Sequence, residues 1–90
     1  MTTSQKHDNF TSEAIGDKDI DQVPGIGAVM SGRLREKGFD KAYILYGQFL
    51  VLRKDKELFK LLLKDLCGAN ENQSNNAFQA FEVYDSSFNS

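Results

Sequence analysis

Residues 23–27 read Val23-Pro24-Gly25-Ile26-Gly27, and they are followed by Ser31 and Leu34. An apolar-Pro-Gly-Ile-Gly run, a small residue and then another apolar residue at this spacing is typical of a helix-hairpin-helix, expected here over residues 20–37. We expect Gly25 and Gly27 to take backbone angles that side chains forbid, and to leave their amides uncovered. Ile26 should fill the inner side of the hairpin, and the small Ser31 should let the two helices approach each other.

The predicted hairpin places the start of a helix at the surface. A helix N-terminus carries partial positive charge and unpaired N–H groups, so it binds a phosphate oxygen. Arg33, in the second turn of that helix, can reach a neighbouring phosphate. None of these groups can read a base edge, so any nucleic-acid binding should be independent of sequence. A plain tight turn is the alternative, but the complete motif around the two glycines favours phosphate binding.

Helical signals flank the hairpin on both sides. Ser4 can cap a first helix that runs to Glu13 and has Phe10 on its inner face. Residues 19–23 predict a short helical turn that ends before Pro24 and Gly25. Residues 28–37 predict a helix, and Gly38 then occupies the position of a left-handed C-terminal cap.

The next segment, residues 41–52, is apolar and ambiguous. It could form two strands around a turn at Gly47 and Gln48, or one buried helix that contains a glycine. We favour the helix because the rest of the chain is helical and a lone hairpin would have no sheet to join.

The C-terminal half predicts two more helices, the first ending at Gly68 and the second capped by Asn70. Leucines at helical spacing predict the apolar face of the first: Leu58, Leu61, Leu62 and Leu66. Lysines follow a neighbouring face that we expect to be solvated: Lys56, Lys60 and Lys64. The second helix has an apolar stripe that we expect to be core or dimer interface: Ala77, Phe78, Phe81, Tyr84 and Phe88.

Composition limits the possible functions. The 90 residues correspond to one domain, residues 1–90, and so short a chain gains stability by dimerising. The one cysteine, Cys67, excludes an internal disulfide, fits a reducing compartment and is expected to be buried and inert. No apolar stretch suits a signal peptide or a membrane span, so we expect no membrane insertion. His7 is alone and expected at the surface, and no nucleophile motif occurs, so we predict no enzyme, cofactor or metal site.

Five segments of the chain resemble the barrier-to-autointegration factor family, and the similarity covers almost all of it: Met1-Thr2-Thr3-Ser4-Gln5-Lys6-His7, Gly25-Ile26-Gly27, Gly38-Phe39-Asp40-Lys41-Ala42-Tyr43, Gly47-Gln48-Phe49-Leu50-Val51-Leu52 and Cys67-Gly68-Ala69-Asn70. The resemblance implies an all-α, SAM-like bundle of five to six short helices, and a symmetric homodimer with one DNA site on each subunit. Such a dimer bridges double-stranded DNA irrespective of sequence and compacts chromatin. It also binds lamins and LEM-domain proteins of the inner nuclear membrane, such as emerin. The resemblance further implies residence in the nucleus, at chromatin and the nuclear envelope, and in the cytoplasm.

The resemblance also implies site residues. The DNA face would comprise Thr3, Lys6, Gly25, Ile26, Gly27, Val29 and Arg33. The LEM-domain groove would form across the dimer from Phe10, Asp40, Tyr46, Gln48, Phe49, Val51 and Arg53. Gly47 would allow close approach of the two subunits, with Cys67 at the same interface. Thr3 and Ser4 match phosphorylation sites, where an added phosphate would repel DNA beside Lys6.

Some positions depart from the family pattern and remove positive charge near the expected DNA face: Asp8, Glu71, Asn72 and Asn75. The family's usual tryptophans are replaced by Leu62 and Tyr84. Because fewer neutralised phosphates mean weaker binding, an alternative function stays open. The chain could be an interaction subunit that binds DNA weakly and heterodimerises with, or modulates, a DNA-binding paralogue.

Overall fold

The fold is all-helical, as the sequence predicts. The computed structural model describes residues 5–88, and within them it has no strand, only an isolated antiparallel bridge between Asp19 and Lys41. The elements in chain order are α1 (Gln5–Ser12), a 3₁₀ turn (Ile20–Gln22), α2 (Ala28–Glu36), α3 (Ala42–Val51), α4 (Lys56–Cys67) and α5 (Glu71–Phe88). None of these helices is both long enough and apolar enough to cross a bilayer.

The predicted helix ends are confirmed where the structure describes them. Asn70 and Gln73 form a reciprocal cap at the start of α5, with the Asn70 side chain accepting from the Gln73 amide at 2.8 Å and the Gln73 side chain accepting in return at 2.9 Å. Gly38 and Gly68 both have positive φ, at 88° and 70°, after α2 and α4. The predicted cap at Ser4 lies outside the described residues.

Residues 41–52 form α3, so the helical alternative is confirmed. Its inner face buries Ala42, Leu45 and Phe49, which recur at helical spacing. Two backbone hydrogen bonds join residues 40–42, at the start of α3, to residues 18–20. The Ile20 amide donates to the Asp40 carbonyl at 3.0 Å, and the Ala42 amide donates to the Lys18 carbonyl at 2.9 Å. These bonds satisfy backbone N–H and C=O groups that no helix or sheet would otherwise pair.

The core is built mainly from phenylalanine rings on α1, α3, α4 and α5. Phe81 lies at its centre, with ring centroids 5.5 Å from Phe10, 5.7 Å from Phe49 and 5.7 Å from Phe59. Most of the predicted α5 stripe is therefore monomer core, because Phe78 and Tyr84 are buried as well. Phe88 alone of that stripe is exposed, and it stacks on Tyr84.

The prediction for α4 selected the wrong face. The buried side chains are Phe59, Leu63 and Cys67, whereas Leu58 and Leu61 are 48% and 59% exposed. Both sets of residues recur at helical spacing, so periodicity could not separate them. The aromatic cluster decides the matter because Phe59 packs edge-on against Phe49 and Phe81. Leu62 and Leu66 from the predicted set are half-buried, between the buried and the exposed face of α4.

Candidate nucleic-acid interface

The hairpin is anchored in the core by its apolar residues. Val23 and Ile26 are completely buried, and the Ile26 amide donates to the Val23 carbonyl at 3.0 Å. Ile26 thus fills the inner side of the hairpin, as its sequence position predicts. Ser31 is buried one turn into α2, and its hydroxyl donates to the Ala28 carbonyl at 3.0 Å. A larger side chain at position 31 would have no space.

Gly25 is required for two reasons. Its φ of 87° is the left-handed conformation that L side chains rarely adopt. A Cβ at this position would also collide with the carbonyl oxygen of Gln73 and press on Asn76 and Ala77. The hairpin therefore packs directly against the first turns of α5, and Gly25 is the point of closest approach.

Gly27 has a different role, and the expectation of a forbidden backbone angle there is wrong. It is the N-cap of α2, with an ordinary extended φ of −97°, and a Cβ would meet nothing within 4 Å. No side chain caps this helix start. Gly27 leaves open space in front of the first amides of α2, and the exposed Val29 lies in the first turn of the same helix.

Lys6 joins α1 to this hairpin. Its ammonium donates to the Ile26 carbonyl at 2.7 Å, which brings a positive charge next to the start of α2. Partial burial lowers the pKa of Lys6, although Asp21 acts in the opposite direction. The chain thus assembles Lys6, Gly25 and Gly27 at one place from two separate segments.

Arg33 is placed differently from expectation. Its guanidinium donates to the Cys67 carbonyl at 3.0 Å and so reaches the C-terminus of α4. A cation at a helix C-terminus is favourable because the last carbonyls are partially negative. Arg33 is still an exposed residue, so it combines a structural bond with a position on the outside of α2.

The residues that depart from the family pattern have unequal positions. Glu71, the first residue of α5, forms an ion pair with Lys60 of α4, and this contact lowers the pKa of Glu71. Asn72 is exposed in the same turn, and Asn75 lies half-buried in the next. Asp8 is exposed on α1 but lies about 200° around the helix from Lys6, because each residue advances about 100°.

A metal centre has no support within residues 5–88. No group of three or more His, Cys, Asp or Glu side chains there could hold an ion. His7, expected at the surface, is half-buried on α1.

Comparison with known proteins agrees with this architecture. A family model described as barrier to autointegration factor matches residues 1–88. The chain belongs to the barrier-to-autointegration factor family. It is 58% identical to the Mus musculus barrier-to-autointegration factor over 78 residues, which cover 87% of this chain and 88% of the relative. It is 52% identical to the Danio rerio protein, with 97% of both chains covered, and 47% identical to the Drosophila melanogaster protein, with 84% of both covered.

The groove and interface residues inferred from this family differ in accessibility. Asp40, Val51 and Arg53 are exposed, and Tyr46, Gly47 and Gln48 are half-buried. Phe10 and Phe49 are core residues, so they support this surface from below. Cys67 is also buried, as expected, and burial raises the pKa of its thiol, which donates to the Leu63 carbonyl at 3.3 Å. Thr3 and Ser4 lie outside the described residues.

A buried polar cluster that no sequence pattern indicates lies beneath this surface. Asp85 of α5 is buried, accepts a hydrogen bond from the Tyr46 hydroxyl at 2.6 Å and pairs with the Lys54 ammonium at 2.5 Å. Lys54 and Arg53 both have positive φ, 62° and 61°, in the link between α3 and α4. The Asp85–Lys54 pair therefore stabilises the strained backbone that presents Arg53. No sequence motif joins residues so far apart along the chain.

Proposed function

We propose that the chain binds double-stranded DNA through its phosphates, irrespective of base sequence. The observation that carries the proposal is the uncapped start of α2 behind Gly27, with the Lys6 ammonium held 2.7 Å from the Ile26 carbonyl beside it. Backbone amides and one cation suit a phosphate oxygen and carry no means to distinguish bases. Thr3, Val29 and Arg33 complete the proposed DNA face.

The protein acts as a homodimer that bridges two duplexes, with one DNA site on each subunit. The outer face of α3 supports the proposed interface, because Tyr43 and Val51 are large exposed apolar residues and Gly47 has open space around it. By bridging, the dimer compacts chromatin in the nucleus, with a further pool in the cytoplasm.

Its surface around Val51 and Arg53 receives LEM-domain proteins such as emerin, and it also contacts lamins. Phosphorylation of Thr3 and Ser4 releases DNA, and no catalytic step is part of this function.

Gly27→Glu tests the DNA site. The added carboxylate occupies the open space and repels phosphate, so we expect at least a tenfold loss of affinity, equivalent to about 1.4 kcal/mol. The measurement is a titration of random-sequence duplex by fluorescence anisotropy. Gly27→Gln separates the steric effect from the charge. Ser87→Glu, which adds the same charge at an exposed position late in α5, is the matched control and should bind like the parent.

Circular dichroism completes the test, because a Gly27→Glu chain that keeps its helical signal has lost a contact and not the fold. Parent-like binding by that folded variant would reduce the hairpin to a simple turn. Light scattering tests the dimer: a mass near that of the 10.1 kDa monomer throughout the micromolar range would remove both bridging and a groove shared by two subunits.

The exposed Glu71 carboxylate favours a second candidate function, because it lies on the first turn of the helix that packs against the hairpin. In this function the chain keeps the fold and the LEM-domain groove but binds DNA weakly and heterodimerises with, or modulates, a more basic paralogue. A gel shift on random duplex separates the two. Retarded duplex at low micromolar protein supports direct DNA binding, and its absence in a folded dimer supports the interaction subunit.

A further inference from the structure

An acidic residue next to a proposed phosphate site should weaken it, unless its charge is offset. Glu71 begins α5, and the Gln73 carbonyl two residues later is the atom that a Cβ on Gly25 would strike. Two residues advance about 3 Å along a helix axis and about 200° around it, so Glu71 lies at the same end of α5 as the contact with Gly25 but faces α4. Its charge therefore acts on the hairpin through space, over a Debye length of about 8–10 Å at physiological salt. The Glu71 side chain is 75% exposed and can therefore face an approaching duplex.

Lys60 offsets this carboxylate from the neighbouring helix. Its ammonium pairs with the Glu71 Oε2 atom, and the two groups lie at a cleft of about 250 Å³ between α4 and the start of α5. The Lys60 side chain is only 13% exposed, because it lies along this cleft. While it holds Glu71, Lys60 cannot also extend to a duplex. Asn75 bonds the same carboxylate, and Lys56 contributes a weaker attraction.

We infer that Lys60 is a positioning residue for DNA binding, which holds and neutralises the Glu71 carboxylate beside the hairpin without touching DNA itself. This inference rests on the proposed DNA-binding function. The lowered pKa of Glu71 agrees with it, since the hydrogen bond from Lys60 is the main cause. An unpaired Glu71 would stay charged at neutral pH and repel the phosphates.

A double-mutant cycle tests the inference. Lys60→Gln leaves Glu71 unpaired and should weaken binding to random duplex about threefold at low salt, the size expected of one charge roughly 10 Å from a phosphate. Glu71→Gln should bind at least as tightly as the parent. The decisive variant is Lys60→Gln with Glu71→Gln: without the carboxylate to neutralise, the loss caused by Lys60→Gln should be clearly smaller than the loss it causes in the parent.

An additive cycle, in which Lys60→Gln weakens binding equally with and without Glu71, would mean that Lys60 acts on DNA by its own charge and not by holding Glu71, and would overturn the inference. Parent-like binding by Lys60→Gln would overturn it too. A parent that binds no duplex would instead reject the proposed function, and the inference with it. Thermal unfolding of each variant identifies losses that come from misfolding, and Lys60→Arg, which keeps the charge, should restore parent affinity.

Lys64→Gln is the matched control. Lys64 lies one turn along α4 and lines the same cleft, so its replacement removes the same charge without removing the partner of Glu71. We expect its affinity to stay within about 1.5-fold of the parent, since the Lys60–Glu71 pair stays intact and a screened surface charge alone contributes little. An equal loss in Lys64→Gln and Lys60→Gln would show that only the total charge of α4 matters, and would overturn the specific role of Lys60.

Discussion

The hairpin at residues 23–27 and the lysines of helix α4 are two features that suggest contact with a polyanion, and they are built in opposite ways. The hairpin has no charged side chain and offers backbone amides in front of Gly27. Helix α4 has three lysines at four-residue spacing, and one of them, Lys60, is committed to Glu71. The number of lysines along a helix is therefore a poor guide to phosphate binding. A lysine that pairs with a nearby carboxylate is neutralised, whereas an uncapped helix N-terminus retains its partial positive charge.

The two regions also differ in what holds them. Gly25 is restricted by its own backbone angle and by the backbone of α5, two constraints that no side-chain movement can relieve. The outer leucines of α4, Leu58 and Leu61, contribute little to the core and could change without disturbing it. A substitution at Gly25 should therefore affect the whole fold, and one on the outside of α4 should not.

The largest expected effect is at Gly25. Gly25→Ala adds a Cβ against the Gln73 carbonyl in a left-handed conformation, so we expect a loss of more than about 3 kcal/mol in the free energy of unfolding. Gly27→Ala, with ordinary angles and open space, should change it by less than about 1 kcal/mol. Urea unfolding measures both values. Similar losses at the two glycines would contradict the different roles given to them here.

The two faces of α4 give the next largest difference. Leu63→Ala opens a cavity in the core and should cost about 2–5 kcal/mol. Leu61→Ala, the same change two residues earlier on the exposed face, should stay within about 0.5 kcal/mol. The free energy of unfolding is again the measurement. A large loss from Leu61→Ala in the isolated protein would show that its exposed face is covered, for instance by a second subunit.

The smallest effect concerns salt. With Lys6 and Arg33 as the cations of each DNA site, the slope of log affinity against log salt should be shallow, on the order of −2, because each neutralised phosphate contributes about −0.9. Asn72→Lys adds a cation on the turn beside the hairpin and should tighten binding and steepen the slope by about −0.9. Asp8→Arg should change the slope less, because Asp8 points away from Lys6.

Affinity measured at several salt concentrations tests this order. Parallel lines for the parent and Asn72→Lys would mean that the start of α5 does not face DNA, which would favour the interaction-subunit function. A steeper line for Asp8→Arg than for Asn72→Lys would move the DNA path from α5 towards the exposed face of α1.

Features that depend only on neighbouring residues can be predicted from the sequence. The hairpin motif, the Asn70 cap and the left-handed Gly38 and Gly68 are local, because each is fixed by backbone angles and bonds within a few positions. The all-helical class follows from the same signals, and the resemblance to the family pointed to the same fold and to the hairpin as the proposed phosphate site.

Other features follow from the packing of the whole chain: which apolar face of α4 is core, why Gly25 and Gly27 differ, and which residues pair with Lys60 and Asp85. Each of these depends on residues distant in the sequence. The ring contact with Phe81 buries the face of α4 that carries Phe59, and the Gln73 carbonyl leaves no space for a side chain at position 25. A sequence pattern records spacing along one helix, whereas packing depends on what lies opposite that helix.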